Sequence, residues 1–275
     1  MKLLIYLKNM AKKELKIVLV SFFLLLHPAC KTTPTYSQKN IEQTIERLCE
    51  EEFNLEAKAW LVENTLWVYV PFGEILDIKG KPRDSFSENT RRIFLALQRT
   101  FLNMDNPPKF YCFVLSDIKD KGIDVYRIGF VRDLIKLRMN LISLEEFNQR
   151  MVFLSFENKK ALGDKQGEHI AKYNISLGDF IGYLIRQRLN NLFIPYSKKV
   201  KVERIQSYYQ EGKLGIIFDI KINKKDESIP NPFNKTKEIA KKYLKIYGRP
   251  ETIIEIEIAD ASGKKSTFTQ AALFD

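Results

Sequence analysis

The stretch LEAKAWLVENTLWVYVPF, residues 55–72, constrains this chain more than any other. Leu55, Ala57, Ala59 and Leu61 alternate with polar or bulky neighbours. After Glu63-Asn64-Thr65 the alternation resumes at Leu66, Val68, Val70 and Phe72. Period two on both sides of a short polar break predicts a β-hairpin. Similar pairs recur as Phe110–Ser116 with Ile123–Val131 around DIKDKG, and as Val200–Tyr209 with Leu214–Ile222 around Glu211-Gly212. A last pair is Thr252–Ala259 with Lys265–Gln270 around Ala261-Ser262-Gly263.

Helical spacing separates the hairpins. It occurs over 40–53 (Ile41, Ile45, Leu48, Cys49), over 88–104 (Ile93, Phe94, Leu97, Phe101), from Ser176 to about Leu192, and over Phe233–Tyr247. Ser143 and Glu146 have capping-box spacing for a short helix, Leu144–Met151. Ile135, Leu137, Met139 and Leu141 alternate, which predicts one further strand. Both halves thus read helix, hairpin, helix, hairpin, with Pro108 and Pro250 at matching places before Asp117 and Asp260. The expectation is an α+β fold of two tandem lobes, each an antiparallel sheet with helices packed on one face. The lobes are residues 40–158 and 175–275, joined by a polar linker, 159–174. The repeated order points to internal duplication.

The N-terminus differs in kind. Ile17–Leu26 is apolar except for Ser21 and is closed by Lys16 and Lys31. As a helix it rises about 15 Å, too short for a bilayer core that takes roughly 20 apolar residues. Lys12, Lys13 and Lys16 precede it, and Ala29-Cys30 follows. This resembles the lipobox signal of bacterial lipoproteins, in which a diacylated cysteine becomes the new N-terminus. It departs from that pattern at His27, where an aliphatic residue is usual, and at Pro28. The resemblance implies a signal peptide over 1–29, lipid attachment at Cys30, and a body facing the periplasm or cell exterior. The polar run over 30–39 reads as a flexible tether.

Removing residues 1–29 takes five lysines and Glu14 from a formal net charge of +11 and leaves +7. That excess favours anionic lipid or envelope polymer as a partner, and export disfavours nucleic acid. It also leaves one histidine, His169, so sites built on two or three imidazoles are excluded. His169 reads as a solvent-facing loop residue. Asp117, Asp120 and Asp124 read as turn solvation rather than a calcium loop. No catalytic, metal or cofactor motif stands out, and no cofactor is expected. Cys49 and Cys112 read as small core residues, with a disulfide as the alternative. In NKTKEIAKKYLKIYG the lysines mostly oppose Ile239, Tyr243 and Tyr247, as on a wet helix face.

The first hairpin carries both tryptophans. Alternation places Trp60, Val62, Trp67 and Tyr69 on the face opposite the aliphatic one. A turn at Asn64-Thr65 sets Trp60 opposite Tyr69. The aromatic face is covered within the chain or is a partner surface, and Trp60, Trp67 and Tyr69 are the candidate binding residues. The functional expectation is a membrane-anchored envelope lipoprotein that acts by binding, as a scaffold or chaperone for another envelope protein. The alternatives are an exported hydrolase with carboxylates assembled between the lobes, and a module for anionic lipid or polymer.

Overall fold

The computed structural model describes residues 35–77, 79–222 and 228–274. The signal-peptide reading and Cys30 lie outside these residues. Helix α1 (Ile41–Phe53) buries Ile41, Ile45, Leu48 and Cys49 on one side and ends at Asn54 in the left-handed conformation. The hairpin follows as β1 (Lys58–Val62) and β2 (Thr65–Phe72). Its turn is Glu63-Asn64, with Glu63 at φ 50°, so Trp60 pairs with Trp67 and Val62 with Thr65. This corrects the expected register. Thr65 stays in the ladder because it is buried and its Oγ1 accepts the N–H of Ile175. The slip is by two residues, so no side chain changes face.

The first half continues as α2 (Asp84–Leu102), β3 (Phe110–Asp117), β4 (Ile123–Phe130), α3 (Val131–Arg138), α4 (Leu144–Gln149) and β5 (Val152–Glu157). Ser143 caps α4 through the N–H of Glu146. The strand expected over residues 135–141 is a correction. Val131 and Leu134, three apart, are the buried pair there, which is helix spacing, while Met139 and Leu141 are exposed. The strand beside β4 is β5 instead.

The second half is α5 (Leu177–Phe193), β6 (Val200–Gln210), β7 (Lys213–Ile222), α6 (Pro232–Ile246), β8 (Glu255–Asp260) and β9 (Lys265–Thr269). Ser176 and Asp179 form a reciprocal capping box on α5. Glu211 and Gly212 both take positive φ, the geometry of a tight two-residue hairpin turn.

The fold is α+β, with sheet orders β1-β2-β3-β4-β5 and β6-β7-β8-β9. Most pairings are antiparallel, but β2–β3 and β7–β8 are parallel. A helix separates the strands of each parallel pair and returns the chain to the end where it started. Helix, strand, strand, helix, strand, strand therefore recurs in both halves with the same sheet order.

The two halves share one core. The first sheet turns Leu66, Val68, Val70, Tyr111, Phe113 and Leu115 toward α1 and α2. Its other face holds Trp67, Tyr69, Cys112, Val114, Ile128 and Val152, in one cluster with Phe180, Ile181, Leu184 and Ile185 of α5. The same cluster takes in Leu214, Ile216, Ile256 and Ile258 of the second sheet. Helix α5 thus lies between the sheets, with α6 beside it. Tyr243 Oη donates to the Gln149 carbonyl at 2.9 Å and Tyr247 Oη to Asp133 at 2.8 Å, tying α6 to the first half. Helices on one face describes the second sheet; the first is covered on both.

Two further expectations change. Residues 159–174 lie along the first sheet rather than forming a free linker. At the C-terminal end of the expected tether, Tyr36 donates its N–H to Asn103 at 3.0 Å and bridges Met104, so this part belongs to the folded body. Cys49 and Cys112 are free thiols buried in different clusters.

Candidate functional site

Trp60, Trp67 and Tyr69 share one face, as alternation requires, and the chain itself covers that face. Trp67 is 2% exposed, Tyr69 is fully buried and Trp60 is half-buried. The cover is the segment 164–175. Trp67 Nε1 donates to the Tyr173 carbonyl at 2.9 Å, and the two rings lie 5.3 Å apart. Tyr69 Oη donates to the Asp164 carbonyl. Lys172 Nζ sits 4.2 Å from the centroid of Trp60 and donates to the carbonyls of Gly167 and Ile170. Gly167, at φ 69°, passes so close that a Cβ would lie 2.9 Å from the Tyr69 ring. The aromatic face is the seat of this strap.

The strap is fastened by His169. Asp164 takes the N–H groups of Gln166 and Gly167 on Oδ1 and that of His169 on Oδ2. The imidazole lies across two acids, with Nδ1 2.5 Å from Asp164 Oδ2 and Nε2 3.2 Å from Asp124 Oδ1. Asp124 is fully buried and also accepts from Ser116 Oγ and, at 2.8 Å, from Asn158 Nδ2. Burial alone would raise the Asp164 carboxyl, but the backbone N–H of His169, its ring, and the N–H groups of Gln166 and Gly167 outweigh it. They hold the group at about 2.

These contacts correct two expectations. His169 is not solvent-facing: its side chain is 3% exposed. Asp124 is buried in this network rather than serving the turn, whereas Asp117, also buried, does serve it by accepting the N–H groups of Lys119 and Asp120. A serine, a histidine and two aspartates thus meet, but Ser116 donates to Asp124 rather than to the imidazole and is itself buried. A nucleophile needs its base in hydrogen-bond reach and a path to substrate, so the network works as a clasp. Among the described residues no group of three or more His, Cys, Asp or Glu is placed to hold a metal ion.

The accessible chemistry is on α6. Lys237 Nζ lies 4.5 Å from the ring centroid of Phe268, Lys241 Nζ 5.5 Å and Arg249 Cζ 3.9 Å from that of Phe274, and Lys264 Nζ 4.9 Å from that of Phe233. The three rings are half-buried between α6 and the sheet edge at β9, and Lys241, Lys242, Lys245 and Arg249 are exposed. Among the described residues, none of the four ring-facing cations has a carboxylate within ion-pair distance. Lys235, facing Glu238, is the exception on this helix. The lysines of the β6–β7 hairpin behave differently: Lys201 and Lys221 both pair with Glu203.

No protein-family model, curated protein or solved structure matches this chain. The spacing of Phe233, Lys237, Lys241 and Lys245 was visible in the sequence. The partnership with Phe268 and Phe274 was not, because β9 and the C-terminal turn reach α6 only through the sheet.

Proposed function

We propose that this protein is a membrane-tethered binding module that lays the outer face of α6 against an anionic lipid surface. The observation that carries the reading is the group of cations, unpaired among the described residues, over Phe233, Phe268 and Phe274. Stems packed on aromatic rings keep charged heads pointed outward, and each Lys or Arg near an anionic leaflet contributes about 1 kcal/mol. Lipid attachment at Cys30 supplies the second signal that stable anchoring takes. Among the described residues no helix is long and apolar enough to cross a membrane.

The other readings have less behind them. A scaffold using Trp60, Trp67 and Tyr69 would first have to lift the strap. A hydrolase wants a carboxylate pair free to act, whereas Asp124 and Asp164 hold the clasp and Asp133 accepts from Arg150 and Tyr247. The matching element and sheet orders support internal duplication as the origin of the two halves.

Vesicle co-sedimentation tests the proposal. Cys30→Ser protein, carrying no lipid, is expected to bind phosphatidylglycerol vesicles in preference to phosphatidylcholine, and to release as salt shortens the Debye length. Replacing Lys241, Lys245 and Arg249 together by Gln is expected to weaken binding on the order of 100-fold. Equal partition onto neutral and anionic vesicles, or indifference to the triple change, would overturn it. Intact-mass analysis of membrane-bound wild-type protein checks Cys30: an unmodified thiol refutes the anchor.

A further inference from the structure

A different cation sits inside the first sheet with no acid to answer it. Arg127 lies mid-way along β4, opposite Phe113 of β3 and Phe153 of β5. Alternation puts it on the same face as Val125, the apolar face toward α1 and α2. Its guanidinium is held between rings, 5.9 Å from the centroid of Phe113 and 5.5 Å from that of Phe153. Its Nε is buried without an acceptor, and among the described residues no carboxylate lies within ion-pair distance. Burial draws its pKa below the ordinary arginine value, with Tyr111 opposing. Tyr111, whose hydroxyl lies over Gly129 two residues along the same face, is a second buried donor without an acceptor. Native proteins rarely leave buried donors unanswered, so this region lacks an acceptor.

Arg127 lines a groove of about 360 Å³ between α2 and the α3–α4 pair. Its apolar walls are Phe94, Leu95, Leu134, Leu137, Leu144 and Phe147, and no Asp or Glu lines it. Leu95 and Leu144 are exposed to solvent along it. The volume falls in the range of small-molecule sites, roughly 300–1,000 Å³.

We propose that this groove binds a fatty acid, its carboxylate on Arg127 and its hydrocarbon chain along the leucine walls. One unpaired guanidinium answers one negative charge, and its planar fork matches a carboxylate. The walls select methylenes, each adding roughly fourfold in affinity when buried. A phosphate headgroup asks for a second cation, and the nearest other one in the groove, Arg91, is already held by Glu88. A neutral alcohol can accept from the Arg127 Nε but leaves the positive charge of the guanidinium unanswered. This site is separate from the α6 face and does not rest on that reading.

Calorimetry on the full, delipidated chain tests this with sodium decanoate, sodium dodecanoate, 1-dodecanol and dodecyl phosphate. The expected result is saturable one-to-one dodecanoate binding, on the order of tenfold tighter than dodecanol and tighter than decanoate. Arg127→Met keeps the apolar stem, so it should erase the preference for the carboxylate while leaving dodecanol binding in place. If that variant does not fold, Leu95→Asn on the exposed wall should weaken dodecanoate several-fold. The triple Gln change at Lys241, Lys245 and Arg249, on and just past α6, should leave dodecanoate binding unaltered. The proposal is overturned by absence of saturable dodecanoate binding, by equal affinity for dodecanol, by tighter binding of dodecyl phosphate, by an Arg127→Met variant that keeps its carboxylate preference, or by loss of binding in the α6 variant.

Discussion

Replacing His169 by Ala should loosen the strap without disturbing either sheet. Among the described residues the imidazole is the one side chain that bonds both Asp124 on β4 and Asp164 on the strap. Removing the partner of a buried hydrogen bond leaves the group it answered short of a donor, which costs about 1–3 kcal/mol per bond. Asp164 would keep its three backbone N–H donors, and Asp124 would keep Ser116 and Asn158. Each of the two bonds therefore costs a mid-range amount, and together they come to about 3 kcal/mol. For a chain of this size that lowers Tm by about 6–12 °C. Urea unfolding at pH 7 measures it, and the tryptophans report where it acts, because both lie on the face the strap covers. A double-mutant cycle with Asp124→Asn should show a coupling of at least about 1 kcal/mol. If His169→Ala stays within about 1 kcal/mol of wild type, or the two changes simply add, the clasp is not what holds the strap.

Acid should act on the same place. The Asp164 carboxyl is held at about 2, below its ordinary value, so its contribution is full above the unfolded pKa near 4 and is lost as pH falls toward 2. The amount is about 2 kcal/mol, and Asp164→Asn should flatten that part of the stability–pH curve. Trp67→Ala should destabilise by about 3–5 kcal/mol, as for a large core side chain; a smaller loss in urea melts would mean the strap collapses into the space. Burial pushes the Cys49 thiol up to about 11 and the Cys112 thiol well above its usual value. Both should ignore thiol reagents at pH 8 until denaturant is added, and fast labelling of Cys112 in the native state would show that strap and α5 open readily.

The sequence revealed its elements better than their arrangement. Ser176 announced α5, and Glu211-Gly212 announced a hairpin, because capping and turn chemistry are local. The parallel pairing of β2 with β3 follows from where α2 returns the chain, and no residue in either strand records that. Residues 135–141 misled because the alternation included Met139 and Leu141, which water rather than a core receives. β5 was missed because its Phe153 and Phe156 are exposed at a sheet edge. The clasp was not readable at all: His169 and Asp124 are far apart in sequence, and each alone looks like an ordinary polar loop residue. The lysine face of α6 was readable as a pattern, and its aromatic support was not.

The position of α5 sets an order of events during synthesis. The first sheet is complete once Glu157 is made, yet the face bearing Trp67, Tyr69, Cys112 and Val152 stays bare until residues 164–193 follow. Those in turn lie open until β6 through β9 close over α5. At about 5–20 residues per second the nascent chain spends on the order of ten seconds, from Glu157 to the end of β9, with one apolar face or another uncovered. The first half is therefore a poor candidate for expression by itself. A chain of this design leans on whatever shields newly made polypeptide until its last strand arrives.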